Sequence, residues 1–397
     1  MEIDDTVDVD ESIVVNLNQT RMQALCEYFR KRKLIWIIVL IIFIVAIIAI
    51  PTILVTVNRG KGEKTSTTQI TTVEILTATT ITEKTATDEL ISSVIINEKT
   101  KWKQSAITVA GGNGPGDQLN QLATPWGIYV DDDSESIYIA DGWNTRIVRW
   151  KFGANTGELV AHRKLQGSNI NQLDQPFDIV LDKEKKSLII CDVSYRRVIR
   201  WSLQNSQDTP ILISDITCWG LAMDSNGDLY IPDWERHQVT CLQQGDTEGT
   251  IVAGGNGQGN HLNQFNQPHY IFVDKNHSIY VTDYKNNRVM KWMKNATEGI
   301  RVAPGETSGE NPNSLIKPMS VIVDDVGNVY VSSKNSHQIT RWSPGATEGA
   351  PVVGEKQSGN KPTQLNCPHD LSFDRQGNLY VVDTDNDRIQ KFVIDRG

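Results

Sequence analysis

One phrase of sequence, written six times, constrains this chain more than any other feature. Five copies read Pro125-Trp-Gly-Ile-Tyr-Val-Asp131, Pro176-Phe-Asp-Ile-Val-Leu-Asp182, Pro268-His-Tyr-Ile-Phe-Val-Asp274, Pro318-Met-Ser-Val-Ile-Val-Asp324 and Pro368-His-Asp-Leu-Ser-Phe-Asp374. The sixth, Cys218-Trp-Gly-Leu-Ala-Met-Asp224, lacks the proline. The closing aspartates are spaced 51, 42, 50, 50 and 50 residues apart. A chain that repeats itself at this period folds as an array of equal units, each too small to bury its own apolar faces.

Every copy continues alike. A polar turn leads to a β-rich run closed by Asp141, Asp192, Asp233, Asp283 or Asp383, with Ser333 in the fifth copy. A second tight turn, such as Gly142-Trp-Asn-Thr-Arg146, leads to a third run ending in Trp150, Trp201, Trp292 or Trp342. A fourth short run and a Gly-rich loop reach the next copy. Short β-branched and aromatic runs between Gly, Asn, Asp and Pro are strands. Four strands per repeat and six repeats predict an all-β fold, a six-bladed β-propeller. A lone fourth-strand copy, Ile107-Thr-Val-Ala110, precedes the first repeat, and a third-strand copy, Arg388–Val393, ends the chain. Pairing these two segments would close the ring.

Pro-x-Gly-Ile-x-Val-Asp, then Leu-Tyr-Val-x-Asp, then Asn-x-Arg-Val-x-x-Trp resembles the NHL repeat. The resemblance spans about residues 105–397 and implies an NHL-type six-bladed propeller. It leaves function open, because one fold hosts many activities.

Leu34 to Val57 are 24 consecutive residues without a charge, interrupted only by Pro51. At about 1.5 Å per residue such a helix spans a ~30 Å hydrocarbon core. Arg30-Lys31-Arg32-Lys33 abuts it on the N-terminal side, so the positive-inside rule places the N-terminus in the cytosol. The expected plan is a cytosolic disordered tail at 1–33, a signal-anchor transmembrane helix at 34–57, a Thr-rich stalk at 58–100 and the propeller at 101–397. The propeller would then lie outside the cell or in a secretory lumen, on a single-pass membrane protein held in the lipid bilayer by one helix. Asn276-His-Ser278 and Asn295-Ala-Thr297 are N-glycosylation sequons on predicted loops. A bridge between Cys218 and Cys241, which bracket the shortest repeat, is an expectation for an oxidising compartment. Cys191, on a strand, reads as a buried free thiol.

From residue 101 onward, 29 Lys and Arg face 35 Asp and Glu, a net charge of −6. An acidic domain without basic clusters argues against nucleic acid, whose phosphates demand a positive patch. The strand-end aspartates and their arginines recur once per repeat, which reads as turn capping rather than catalysis. Asp383-Thr-Asp-Asn-Asp387 lacks the Gly and Glu of an EF-hand loop.

The residue after the repeat proline, or after Cys218 in its place, varies from repeat to repeat: Trp126, Phe177, Trp219, His269, Met319 and His369. A propeller carries equivalent positions to one rim of its channel. These six, with Asp178 and Asp370, are the expected binding residues, and exposed rings there would anchor a protein, peptide or glycan. The preferred function is a cell-surface binding module with no cofactor. Two Pro-His motifs on alternate blades also resemble the peptidyl-hydroxyglycine amidating lyases. That resemblance implies zinc on His269, His369 and a third histidine, where this chain has Phe177-Asp178. A membrane-tethered metal-dependent lyase or hydrolase is therefore the alternative, with zinc, or calcium in the channel, as its ion.

Overall fold

The computed structural model describes residues 95–162, 172–205, 209–304 and 315–397. The expected tail, transmembrane helix and nearly all of the stalk lie outside them. Among the described residues no helix is long and apolar enough to cross a membrane.

Six antiparallel sheets of four strands form the ring. In blade 1 the strands are Pro125–Asp131, Ser136–Asp141, Arg146–Lys151 and Glu158–His162, from the channel outward. The innermost strands of the other blades are Pro176–Leu181, Ala222–Met223, Pro268–Val273, Pro318–Val323 and Pro368–Phe373. Each inner strand runs from an upper face, where its proline lies, to a lower face. The turns between second and third strands return to the upper face.

The ring closes as the repeat pattern requires. Ile107–Gly111 pairs with Arg388–Phe392 as the outer strand of blade 6, in the register Ile107↔Lys391 and Gly111↔Arg388. A second clasp was not visible in the sequence. Lys101–Trp102 pairs with Ile394–Asp395, and the Trp102 indole donates to the Gly377 carbonyl at 2.9 Å. Ile96, ahead of this clasp, is buried with Trp102 against blades 5 and 6.

Strand alternation explains the stacking. Along the second strand of blade 1, Tyr138 and Ala140 face blade 2, while Ile137 and Ile139 face blade 6. Both sheet faces are covered, so this strand is apolar throughout. Six such clusters fill the six gaps between neighbouring blades. Trp150, Trp201, Trp292 and Trp342 are buried among them, as packing residues.

The strand-end carboxylates hold the upper loops. Asp141 accepts from the Ala123 amide at 2.8 Å and pairs with Arg146 at 2.7 Å. The Arg146 guanidinium also donates to the carbonyls of Gln118 and Gln121. Asp283–Arg288 and Asp383–Arg388 repeat this arrangement at 2.7 Å, and Asp192–Arg197 at 2.9 Å. Blade 5, with Ser333 and Gln338, substitutes a hydroxyl bond from Ser333 to the Ile316 carbonyl. The Gly-rich loops at 111–116 and 254–259 are tied internally. Asn113 donates to Asn120, and Asn256 to Asn263, across each loop.

The disulfide differs from expectation. Cys218 bonds Cys191, not Cys241. Cys218 lies in the cluster between blades 2 and 3, whereas Cys241 faces the opposite side of its sheet, between blades 3 and 4. A sheet separates the two thiols, and Cys241 stays a buried free cysteine. Cys191 occupies the repeat position of Thr282 and Ser332, just before the strand-end residue. Those hydroxyls reach the neighbouring blade: Thr282 donates to the Met319 carbonyl at 2.9 Å and Ser332 to that of His369. The bridge makes the same inter-blade link covalently.

Within the propeller, non-reducing alkylation of the unfolded chain should therefore label Cys241 and Cys367 and leave Cys191 and Cys218 linked. A peptide joining Cys218 to Cys241 would contradict the structure. Cys218→Ser should lower stability in urea by about 3–4 kcal/mol, the loop-entropy value for a separation of 27 residues.

Candidate functional site

The inner strands converge on the channel in layers set by their two-residue period. At the upper end stand the six variable residues. Trp126 stacks on Phe177 with ring centroids 4.6 Å apart, and Phe177 meets Trp219 edge-on at 4.7 Å. Trp219 stacks on His269 at 4.1 Å, and Tyr284 covers the other face of that imidazole at 4.1 Å. His369 packs edge-on against Trp126 at 4.5 Å. Met319 is buried in the same layer. The expected open rim is thus a packed aromatic plug. Its partly exposed rings are Trp126, Trp219 and Tyr284. Trp143, on a neighbouring turn of the same face, is 76% exposed.

Both histidines are almost wholly buried, and their Nδ1 atoms have no hydrogen-bond partner in the protein. Desolvation, reinforced by His369 and by Lys285 and Lys334, holds the His269 imidazole well below its usual range. Burial lowers His369 to about 3, with Lys334 adding to the effect. Both rings are neutral at pH 7. Among the described residues no group of three His, Cys, Asp or Glu side chains is placed to hold a metal ion.

Asp178 and Asp370 lie one layer below. Asp178 accepts from its neighbour Ile179 at 2.8 Å and from the Leu221 amide of blade 3 at 2.7 Å. Asp370 accepts from Leu371 at 2.8 Å, from the Ser320 hydroxyl at 2.7 Å and from the Ile128 amide of blade 1 at 2.9 Å. The two carboxyls converge on the Gly127–Ile128 segment. A Cβ at Gly127 would stand 2.5 Å from Asp178 Oδ1, so only glycine leaves room for that carboxyl. Likewise a Cβ at Gly220 would stand 2.7 Å from the Tyr270 Cα. Tyr270, from blade 4, crosses the channel and donates its phenol to the Trp126 carbonyl at 3.0 Å. Burial raises both carboxyls, and the charge of Asp370 raises Asp178 further.

Beneath this floor the channel holds a cavity of about 300 Å³ lined by all six inner strands. Sequence reasoning placed Asp178 and Asp370 among the binding residues of the rim, whereas the structure buries both one layer below it, and Tyr270, Ser320 and the cavity were missed. The signal was available two residues after each repeat proline, or after Cys218 in its place: Gly127, Asp178, Gly220, Tyr270, Ser320 and Asp370. The mixture of absent, acidic and bulky side chains at one repeat position marks a shaped channel.

The NHL repeat profile matches residues 217–242 and 365–392. The chain carries NHL repeats and folds as a six-bladed β-propeller. No curated protein matches its sequence. Among solved structures it resembles a protein of unknown function from Bacteroides thetaiotaomicron, at 14% identity and TM-score 0.59, covering 73% of this chain and 76% of that one. An auxiliary nutrient binding protein from the same organism gives 14%, 0.58 and the same coverage. A gluconolactonase from Xanthomonas campestris gives 14% and 0.51, covering 70% and 89%. At these identities the likeness is one of fold.

The buried imidazoles make a pH prediction. A folded-state pKa below the unfolded value means that protonation favours the unfolded chain. Stability is intact above about pH 6.5 and is lost as pH falls toward the folded pKa. Between pH 6.5 and 5 the wild type should lose about 2 kcal/mol relative to His369→Asn. The raised carboxyls act in the opposite sense but equally in both proteins, so the difference isolates the imidazole. Parallel stability–pH curves would show that His369 is not buried as a neutral base.

Proposed function

We propose that this NHL propeller is a membrane-anchored binding module that docks an acidic extracellular peptide, protein or glycan on its upper face. The observation that carries this reading is the pairing of aromatic surface with unmatched positive charge. Trp126, Trp219 and Trp143 offer ring faces. Lys285 and Lys317 lie 5.7 and 5.9 Å from the centroid of the Tyr284 ring, and Lys334 acts on both histidines. Among the described residues no salt bridge joins a carboxylate to any of these three lysines, and only the exposed Asp385 lies in the field of Lys334. On a domain of net charge −6 this is a local reversal of sign, and complementary potential sets partner choice. Aromatic rings supply the contact area that binding hot spots use.

The uncharged segment at 34–57 and the Thr-rich stretch after it support anchoring and display at the cell surface. The Cys191–Cys218 bridge supports an oxidising compartment, where such bonds persist. Asn276 and Asn295 are both exposed on blade 4, on lower-face turns away from the aromatic plug. Glycans there would leave the upper face clear. The nutrient-binding description of one structural neighbour is compatible with a ligand-holding propeller.

Two measurements test this. Glycosidase treatment of the full chain expressed in cells should increase its gel mobility, in two steps removed singly by Asn276→Gln and Asn295→Gln. An unshifted chain would contradict luminal placement. Cells displaying the full chain should bind labelled acidic peptides or sialylated or sulfated glycans. Trp143→Ala, at an exposed position, and Lys285→Glu should each weaken that binding about tenfold or more. Undiminished binding in both variants would rule out the upper face.

A further inference from the structure

The cavity beneath the aromatic plug opens away from the proposed docking face and has its own chemistry. Tyr270 and the two carboxyls form its floor. Tyr129, Phe272, Ile322 and Phe373 are among the residues that form its walls. No Lys, Arg or His lines it, so Asp178 and Asp370 are buried without a counter-charge. Its volume of about 300 Å³ falls at the small end of the range for ligand pockets.

The carboxyls do hydrogen-bond across blades, Asp178 from blade 2 to 3 and Asp370 from blade 6 to 1. That role does not require an ionisable group. Thr282 and Ser332 join blades 4 to 5 and 5 to 6 with neutral hydroxyls in the same molecule. Burying an unpaired carboxyl is costly compared with burying a hydroxyl, so two acids at the channel floor call for a reason beyond blade joining. Gly127 supports the same point, because its missing side chain is the space into which Asp178 projects.

We propose that this cavity binds a small organic ammonium ion, with its nitrogen at Asp178 and Asp370 and its apolar body against the ring-lined walls. The carboxyl oxygens already accept the amides of Ile179, Leu221, Ile128 and Leu371. Their remaining lone pairs can accept N–H donors, whereas a bare metal ion would need a fuller oxygen shell than two carboxyls and the Ser320 hydroxyl provide. Aromatic faces attract a cation and tolerate its hydrocarbon. An anion would meet two acids, and a neutral ligand would leave them unmatched.

The test uses the purified full chain in detergent, with methylammonium, benzylammonium and phenethylammonium as probes and benzyl alcohol as the neutral isostere. Calorimetry should show saturable binding of an aromatic amine, with benzyl alcohol about tenfold or more weaker. Asp178→Asn and Asp370→Asn should each weaken amine binding by a similar factor. Ser372→Trp, which fills the cavity from its wall and leaves both acids in place, should abolish binding, and it carries the test if the Asn variants fail to fold. Leu159→Ala, at an exposed position on the outer strand of blade 1, should change nothing. Equal affinity for amine and alcohol, amine binding that survives Ser372→Trp, or no saturable binding of any of the three amines would each overturn the proposal.

Discussion

Closure of the ring is the constraint on which the rest of this structure depends. Each blade has two apolar faces and can cover neither alone, so six sheets are stable only as a continuous circle. The circle is completed where Ile107–Gly111 adds to the last blade beside Arg388–Phe392. That pairing covers Ala110, Leu122, Ile137 and Ile139 on one side of the seam and Tyr380, Val382 and Ile389 on the other. The Trp102 clasp reinforces the seam from outside. Without closure, two blade faces would meet water.

Closure also creates the channel, and the channel gives otherwise equivalent positions different work. The residues directly after the repeat prolines seal the upper end with stacked rings. The residues one step further meet in the layer below as two acids, a phenol, a hydroxyl and two glycines. Gly127 yields space to the Asp178 carboxyl and Gly220 to the backbone of Tyr270, so the floor is asymmetric although the scaffold is nearly six-fold. A binding surface and a cavity with different chemistry can therefore occupy opposite ends of one axis.

Inter-blade links show how one structural need is met by different chemistry. At the residue before the strand-end position, a threonine and a serine join blades 4, 5 and 6, and a cysteine joins blade 2 to blade 3. Blade 3 is the shortest repeat, and its inner strand spans only Ala222–Met223. The covalent link falls where the sheet contributes least of its own ladder.

The repeat period, the strand runs and the orphan strand at Ile107 determined the propeller, its blade count and its manner of closure, because alternation and turn chemistry act over a few residues and recur in register. The strand-end Asp–Arg pairs were legible for the same reason. Tertiary structure decided what depends on residues far apart in the chain. It buried His269 and His369 within an aromatic stack, because Trp219, Tyr284 and Trp126 arrive from other strands. It joined Cys218 to Cys191, because the face of a sheet on which a thiol lies outweighs its distance along the sequence. It also brought Asp178 and Asp370 to one side of a glycine on a third blade, a proximity that only a closed ring produces.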